Sequence, residues 1–235
     1  MRRAALRWVA VAAMSSLSGC SNSDGTKGPA SAQVGGGTGV VGAGGAGANL
    51  KDDGEFVRDV AIKHMAAVEL SRLALEKASS ADIKSFAQTV IDEDGGAGEK
   101  LRSAASGQST EWPTQLDDKH RKAAGELAEK QGAEFDRDYV EAMIEGHQDL
   151  TAKLETRLDV QSLADWKTAA AGRTQSSALP DPSGALRDVQ IRPDRSGTDA
   201  SMKISQWAAE TYPVAQKHLD TARTLENAAK KGATD

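Results

Sequence analysis

The chain has 235 residues, a formal net charge of −5 and few aromatic residues, 4% of the total. An acidic chain without a basic patch is not typical of a nucleic-acid-binding protein, because it can neither neutralise phosphates nor stack bases well. We therefore expect no nucleic acid partner. Cys20 is the single cysteine, which excludes an intramolecular disulfide, so the folded part must be stabilised by packing.

Residues 1–19 have the pattern of a bacterial lipoprotein signal peptide. Three arginines give a basic start, and the apolar run 8–17 is too short to span a bilayer, which needs about 20 apolar residues. The run ends in Leu17-Ser18-Gly19-Cys20, which resembles the bacterial lipobox, whose cysteine receives a diacylglyceryl group before cleavage in front of it. The alternative is an ordinary signal peptide followed by an unmodified cysteine.

Lipidation of Cys20 would make a membrane the partner of this chain, held through acyl chains such as palmitate. Two or more acyl chains anchor a protein persistently, whereas a single short chain is marginal. Ser21 follows the cysteine, and a residue other than aspartate there favours the outer membrane in cells with two membranes. We therefore expect a location in the cell envelope, at the outer membrane and facing the periplasm.

Residues 20–50 are rich in glycine, alanine and serine and predict a flexible tether. A Gly-rich coil of about 30 residues has a root-mean-square reach of roughly 30 Å, enough to hold a domain clear of the lipid headgroups. Loss of the three signal-peptide arginines from a net charge of −5 leaves −8 for the processed chain, which also disfavours binding to anionic lipid.

Residues 51–235 predict an all-α domain, because helix-forming residues dominate and no strand-like alternation of useful length occurs. Short connections favour antiparallel neighbours in a four-helix bundle with short extra helices. Three prolines within about 172–202 predict a flexible insertion, and Pro213 predicts a bend in the last helix. The predicted helices cover about 55–78, 81–105, 113–131, 135–159, 163–171 and 202–230.

Four polar residues fall on the apolar stripes of the four long helices, one on each: Glu69, Asp94, His147 and His218. An unpaired charge facing a bundle interior costs several kcal/mol, so such groups are normally paired, hydrogen-bonded or bound to a cation. Two imidazoles and two carboxylates suit a first-row transition metal such as iron, zinc or manganese. His64 lies near the same face, whereas His120 belongs to a short basic run typical of a solvated surface.

Two interpretations of these residues stay open. In the favoured one, His147 and His218 are core histidines hydrogen-bonded to Glu69 or Asp94, and no cofactor is expected. In the other, the four residues bind a transition metal, although neither histidine has the glutamate three residues before it that di-iron carboxylate bundles use. No nucleophile with a base at a recognisable spacing and no phosphate-binding glycine loop occurs, so we do not predict an enzyme.

Several motifs along the helices together resemble those of one bacterial family. They are Glu69-Leu70 with Leu73-Ala74, Lys84-Ser85-Phe86-Ala87, Phe135-Asp136-Arg137-Asp138-Tyr139 with Met143 and His147, and Tyr212-Pro213 with His218-Leu219. They resemble the envelope proteins grouped as domain of unknown function 4142, over about 55–171 and 207–228. The resemblance implies a ferritin-like four-helix bundle and an envelope location. Where the family usually has Asp-His in the second helix, this chain has Glu93-Asp94, so carboxylate replaces an imidazole.

The sequence leads to one main functional hypothesis and two alternatives. The main hypothesis is a membrane-anchored envelope lipoprotein whose helical domain has a non-catalytic role in interaction or stress tolerance. The first alternative is a metal-binding or redox protein that uses the carboxylates and histidines of the bundle core. The second is a lipoprotein subunit of a larger envelope complex.

Overall fold

The computed structural model describes residues 46–106, 108, 110–174 and 189–232, and side chains within 53–172 and 189–231 of that set. The predicted signal peptide, Cys20 and most of the predicted tether lie outside the described residues. The described part is all-helical, as predicted, and its arrangement is compatible with a ferritin-like bundle. The helices are α1 (Ala46–Lys77), α2 (Ala81–Ala104), α3 (Asp118–Ala128), α4 (Gly132–Glu155), α5 (Val160–Thr174) and α6 (Asp199–Gly232).

Side-chain caps determine where several helices begin. The Ser80 side chain accepts a hydrogen bond from the Ile83 backbone at the start of α2. Asp117 caps α3 through the His120 backbone N–H at 2.8 Å, so α3 begins after Asp117 and not at Pro113, where the sequence predicted it. Gly132 adopts a φ of 58° at the start of α4, a conformation that favours glycine.

The starts of two helices and part of the predicted insertion differ from the sequence-based expectations. α1 begins at Ala46, inside the segment predicted as tether, and α6 begins at Asp199 and continues through Pro213. Of the predicted insertion, residues 175–188 lie outside the described part, but Pro193 pairs with Leu158 in an isolated bridge. The Arg192 backbone N–H also donates to the Ser162 hydroxyl at 3.0 Å, so this segment is attached to the start of α5.

The four long helices, α1, α2, α4 and α6, form a ring in which α1 and α6 are diagonal and each packs against α2 and α4. Two apolar clusters fill the interior. The Trp207 cluster comprises Phe56, Val57, Val60, Ala61, Leu101, Ala105, Leu150, Leu154, Leu158, Leu163, Trp166, Ile204, Trp207, Ala208, Ala209, Tyr212 and Ala215. The Phe86 cluster comprises Ala74, Ala78, Ile83, Phe86, Ala87, Val90, Leu127, Phe135, Tyr139, Val140, Met143 and Ala222.

The order of the clusters along each helix gives the helix directions. α1 and α6 pass from the Trp207 cluster to the Phe86 cluster, whereas α2 and α4 pass the opposite way. Neighbours in the ring are therefore antiparallel, as the short connections predicted. Each long helix carries a buried polar residue at the point where it leaves one cluster for the other. Among the described helices, none is both long enough and apolar enough to cross a membrane.

Candidate metal centre

Each long helix contributes one buried polar side chain to a layer between the two apolar clusters. These are His64 from α1, Asp94 from α2, His147 from α4 and His218 from α6, each at most 2% exposed. We call these four residues the polar layer. Three of them were predicted from their position on the apolar stripes, and the structure brings those three, Asp94, His147 and His218, together.

Three atoms of the polar layer converge: Oδ2 of Asp94, Nε2 of His147 and Nδ1 of His218. Oδ2 lies 3.4 Å from each of the two nitrogens, and the nitrogens lie 3.2 Å apart. A tetrahedral metal ion with bonds of about 2.0–2.1 Å holds its ligand atoms about 3.3 Å apart. The three residues could therefore hold a metal ion as they stand. We call them the three-ligand group.

The outer nitrogens of the two imidazoles have partners that determine their protonation. Nδ1 of His147 lies 2.9 Å from the Met143 carbonyl oxygen, which can only accept, so this nitrogen carries the hydrogen. Nε2 of His218 lies 2.7 Å from a carboxylate oxygen of Glu93 and donates to it. In neutral imidazoles the inner nitrogens then present lone pairs to each other and to Asp94. Partners of this kind orient histidine ligands in metal sites.

The electrostatics of the layer also favour a bound positive charge. Burial alone would raise the pKa of Asp94, but the interaction with His64 and the imidazoles of His147 and His218 holds it well below its usual range. Burial would lower the pKa of His218, but Asp94 and Glu93 outweigh it and raise the pKa above its ordinary value. A proton held between these acceptors is the electrostatic equivalent of a metal ion there.

His64 orients the carboxylate from the opposite side. Its Nδ1 lies 2.6 Å from Oδ1 of Asp94, and its ring packs edge-on against Trp207 at a centroid distance of 5.8 Å. Oδ2 of Asp94, the oxygen directed at the other two histidines, has no hydrogen-bond partner in the described part of the chain. Asp94 thus uses one oxygen for His64 and offers the other to the three-ligand group.

The prediction that Glu69 faces the bundle interior is wrong. Its side chain is 49% exposed and lies 3.6 Å from Arg72 in a surface ion pair. It lies five positions after His64, which at 3.6 residues per turn places it about 140° around α1. His64 continues the line of Val57 and Val60 and is the residue that α1 contributes, and its spacing from those valines could have identified it.

Two other residues have roles that the sequence did not predict. Glu93, noted only as a departure from the family pattern, is the hydrogen-bond partner of His218, and Lys217 approaches the same carboxylate at 3.3 Å. Asp136, which belongs to the Phe135–Tyr139 motif, does not cap its own helix, whose N-cap is Gln131. It instead accepts hydrogen bonds from the backbone N–H groups of Ser79 and Ser80 and joins α4 to the α1–α2 turn.

Comparison with known proteins identifies a family for this chain. A family model described as Domain of unknown function (DUF4142) matches residues 40–176, more than half of the chain. No curated protein matches the chain, and no solved structure does. The matched range contains α1 to α5, and therefore His64, Asp94 and His147. It ends before α6, so His218 lies outside the matched range.

Proposed function

The chain belongs to the DUF4142 family, and we propose that its helical domain binds a divalent transition-metal ion at Asp94, His147 and His218. The convergence of the three acceptor atoms carries this proposal. Three such atoms, 3.2–3.4 Å apart in a buried layer, repel one another unless a cation lies among them. The interpretation that the sequence favoured was that the histidines only form hydrogen bonds. That interpretation would require a proton to stay bound among these three acceptor atoms.

The ligand chemistry narrows the choice of metal. Imidazole and carboxylate suit zinc, iron and manganese, and two histidines with one carboxylate are the donor set of many ferrous iron sites. Three protein ligands leave a tetrahedral ion with a free fourth position, which structural zinc sites normally do not have. We therefore propose zinc or ferrous iron, with a further position available to a small molecule.

Elemental analysis would test metal binding. Protein purified from metal-replete cells should contain a stoichiometric amount of zinc or iron. The double variant His147→Ala/His218→Ala should contain none, while circular dichroism confirms that it is helical. His120→Ala is the matched control, because His120 lies on α3 and bonds only to Asp117 among the described residues. Absence of metal from the unaltered protein under these conditions would overturn the proposal.

The proposal also includes anchoring of the domain in the cell envelope through a lipid on Cys20. Its support is the sequence Leu17-Ser18-Gly19-Cys20 after a short apolar run. Mass spectrometry of the protein from a bacterial membrane fraction should find Cys20 at the N-terminus with a diacylglyceryl thioether. Cys20→Ser should release the protein from the membrane. An unmodified thiol, or a soluble protein with Cys20 intact, would contradict the anchor without affecting the metal proposal.

A further inference from the structure

A cleft of about 550 Å³ lies between α1, α2 and the segment that leads into α3. Its volume falls within the range of about 300–1,000 Å³ that is common for small-molecule sites. His64 and Asp94 are its buried polar lining residues, whereas His147 and His218 do not line it. The cleft therefore approaches the polar layer from the α1–α2 side, and Asp94 is the member of the three-ligand group that lines it.

Two glycines leave the α2 side of the cleft without side chains at their positions. Gly95 and Gly98 lie three residues apart on the same face of α2 and line the cleft, and a Cβ at either position would meet nothing within 4 Å. Glycine inside a helix costs about 1 kcal/mol relative to alanine. Close packing of protein groups does not account for that cost at these two positions. A side chain at either position would instead extend into the open space of the cleft.

The remaining lining combines apolar and cationic groups. Met65 and Val68 of α1 and Leu116 of the opposite segment provide apolar surface, together with Trp112. The Arg102 guanidinium lies over the Trp112 ring, 5.8 Å from its centroid, so these two lining side chains are in cation–π contact with each other.

Among the described residues, Arg102 is the lining arginine for which no ion pair is found. Two further lining arginines have acidic neighbours, Arg72 with Glu69 at 3.6 Å and Arg121 with Asp118. Glu99 also lines the cleft and adds a negative charge to its lining. A carboxylate of the ligand would therefore lie near Trp112, where the Arg102 guanidinium can bind it through two parallel hydrogen bonds.

His64 provides a polar atom on the buried side. Its Nε2 is buried and has no hydrogen-bond partner within the described part of the chain, because Nδ1 is used for Asp94. A buried polar nitrogen without a partner costs about 1–3 kcal/mol. A hydroxyl group satisfies it in either protonation state, since a hydroxyl can donate to a neutral imidazole and accept from a protonated one.

From these features we propose that the cleft binds a small hydroxyaryl carboxylate. The hydroxyl would bond Nε2 of His64, the ring would lie against Trp112 and Met65, and the carboxylate would bind Arg102. Each group of the ligand thus contacts a different part of the lining. The proposal does not depend on a metal ion, because none of its contacts uses His147 or His218.

Calorimetric titration of the purified full-length protein tests the ligand class. The probe is para-hydroxyphenylpropionate, compared with phenylpropionate, which lacks the hydroxyl, and para-ethylphenol, which lacks the carboxylate. We expect each analogue to bind about tenfold more weakly than the probe, the loss of one buried or charge-assisted hydrogen bond. Binding should persist after the metal is removed by a chelator. Equal affinity for all three compounds, or no binding of the probe at millimolar concentration, would overturn the proposal.

Matched variants test the location. Gly98→Leu should fill the cleft and weaken probe binding at least about tenfold, whereas Gly96→Leu, at a glycine that does not line it, should leave binding unchanged. Arg102→Gln should remove the preference for the acid over para-ethylphenol and retain binding of the phenol. Equal effects of the two leucines, or an unchanged preference in Arg102→Gln, would place the binding elsewhere and contradict the assignment. Circular dichroism of each variant checks that α2 is retained.

Discussion

Two buried aspartates of this bundle have opposite surroundings. Asp53, at 0% exposure, accepts hydrogen bonds from Arg157, Ser201 and Gln108, all of them donors. Asp94, at 2% exposure, faces three imidazoles and keeps one oxygen without a hydrogen-bond partner among the described residues. A buried carboxylate surrounded by donors is complete, whereas one that faces other acceptors needs an additional cation. The partners of a buried charge, more than its burial, therefore distinguish a structural residue from a site.

The positions of the two aspartates agree with these roles. Asp53 joins α1 to the end of α4, through Arg157, and to the start of α6, through Ser201. Arg157 also lies over the Phe56 ring at 4.6 Å, so this group ties the end of the bundle together. Asp94 lies in the middle of the bundle, between the two apolar clusters, where it faces one imidazole from each of the three other long helices. Substitutions at the two positions should accordingly affect different properties.

The largest effect on stability is expected for Asp53→Ala. It leaves the Arg157 guanidinium, 16% exposed, without its carboxylate, and breaking such a buried pair costs about 3–5 kcal/mol. Urea denaturation followed by circular dichroism measures the loss. The folded fraction should still bind metal at the same stoichiometry. A loss of less than about 1 kcal/mol would contradict the structural role assigned to Asp53.

Asp94→Asn should have the reverse pattern. The amide retains the shape of the side chain but removes the charge, so metal affinity should fall by about 100-fold or more, the equivalent of roughly 2.7 kcal/mol. Metal-free stability should change less than in Asp53→Ala. Competition with a chelator of known affinity gives the measurement. Glu69→Gln, which neutralises an exposed carboxylate, is the matched control and should leave affinity unchanged. If both variants bind equally well, Asp94 is not a ligand.

The pH dependence should differ between the metal-free and metal-bound proteins. A raised pKa at His218 stabilises the metal-free fold at pH values below the ordinary histidine pKa, and that stability is lost as the pH rises through the raised value. A metal must displace the same proton, so its affinity should fall by up to about tenfold per pH unit below the raised pKa. Thermal unfolding at several pH values, with and without metal, should therefore give opposite trends. Parallel trends would argue against competition between proton and metal.

The smallest effect is expected for Glu93→Gln. Glu93 contacts His218 from outside the three-ligand group, and loss of such a partner typically lowers metal affinity by 10- to 100-fold. The lower end is expected here, because the Gln side chain can still accept from Nε2. Lys217→Gln serves as the control, since Lys217 approaches Glu93 but is 63% exposed, and it should change affinity little. A loss as large as that of Asp94→Asn would make Glu93 a ligand in its own right.

Much of the fold could be predicted from the sequence because the four long helices have strong apolar periodicity. Asp94, His147 and His218 were identified in the same way, as polar residues at positions where that periodicity requires apolar ones. The error at Glu69 arose because α1 is rich in small apolar residues near that position, such as Ala66 and Ala67, which make its apolar stripe broad. When the buried stripe is followed over the longer range from Val57 to Ser71, His64 falls on it and Glu69 does not.

The contacts between helices could not be predicted in this way. Glu93 and Asp94 point in directions about 100° apart, because successive residues of a helix differ by that angle. Which of them enters the site depends on how α2 is rotated about its axis, and the neighbouring helices determine that rotation. The start of α3 was misplaced because Pro113 and Asp117 both mark helix starts, and only the Asp117 cap is used. The bond from Asp136 to the α1–α2 turn likewise depends on how α4 lies beside that turn.

X-ray absorption spectroscopy of the metal-loaded protein tests the central claim most directly. We predict the absorption edge of zinc or iron. The fitted first shell should contain two imidazole nitrogens and one carboxylate oxygen at about 2.0–2.2 Å, together with one further ligand atom from a small molecule. In His147→Ala/His218→Ala this spectrum should be lost. A shell without imidazole scattering, or a spectrum unchanged by the double substitution, would contradict a metal centre in the polar layer.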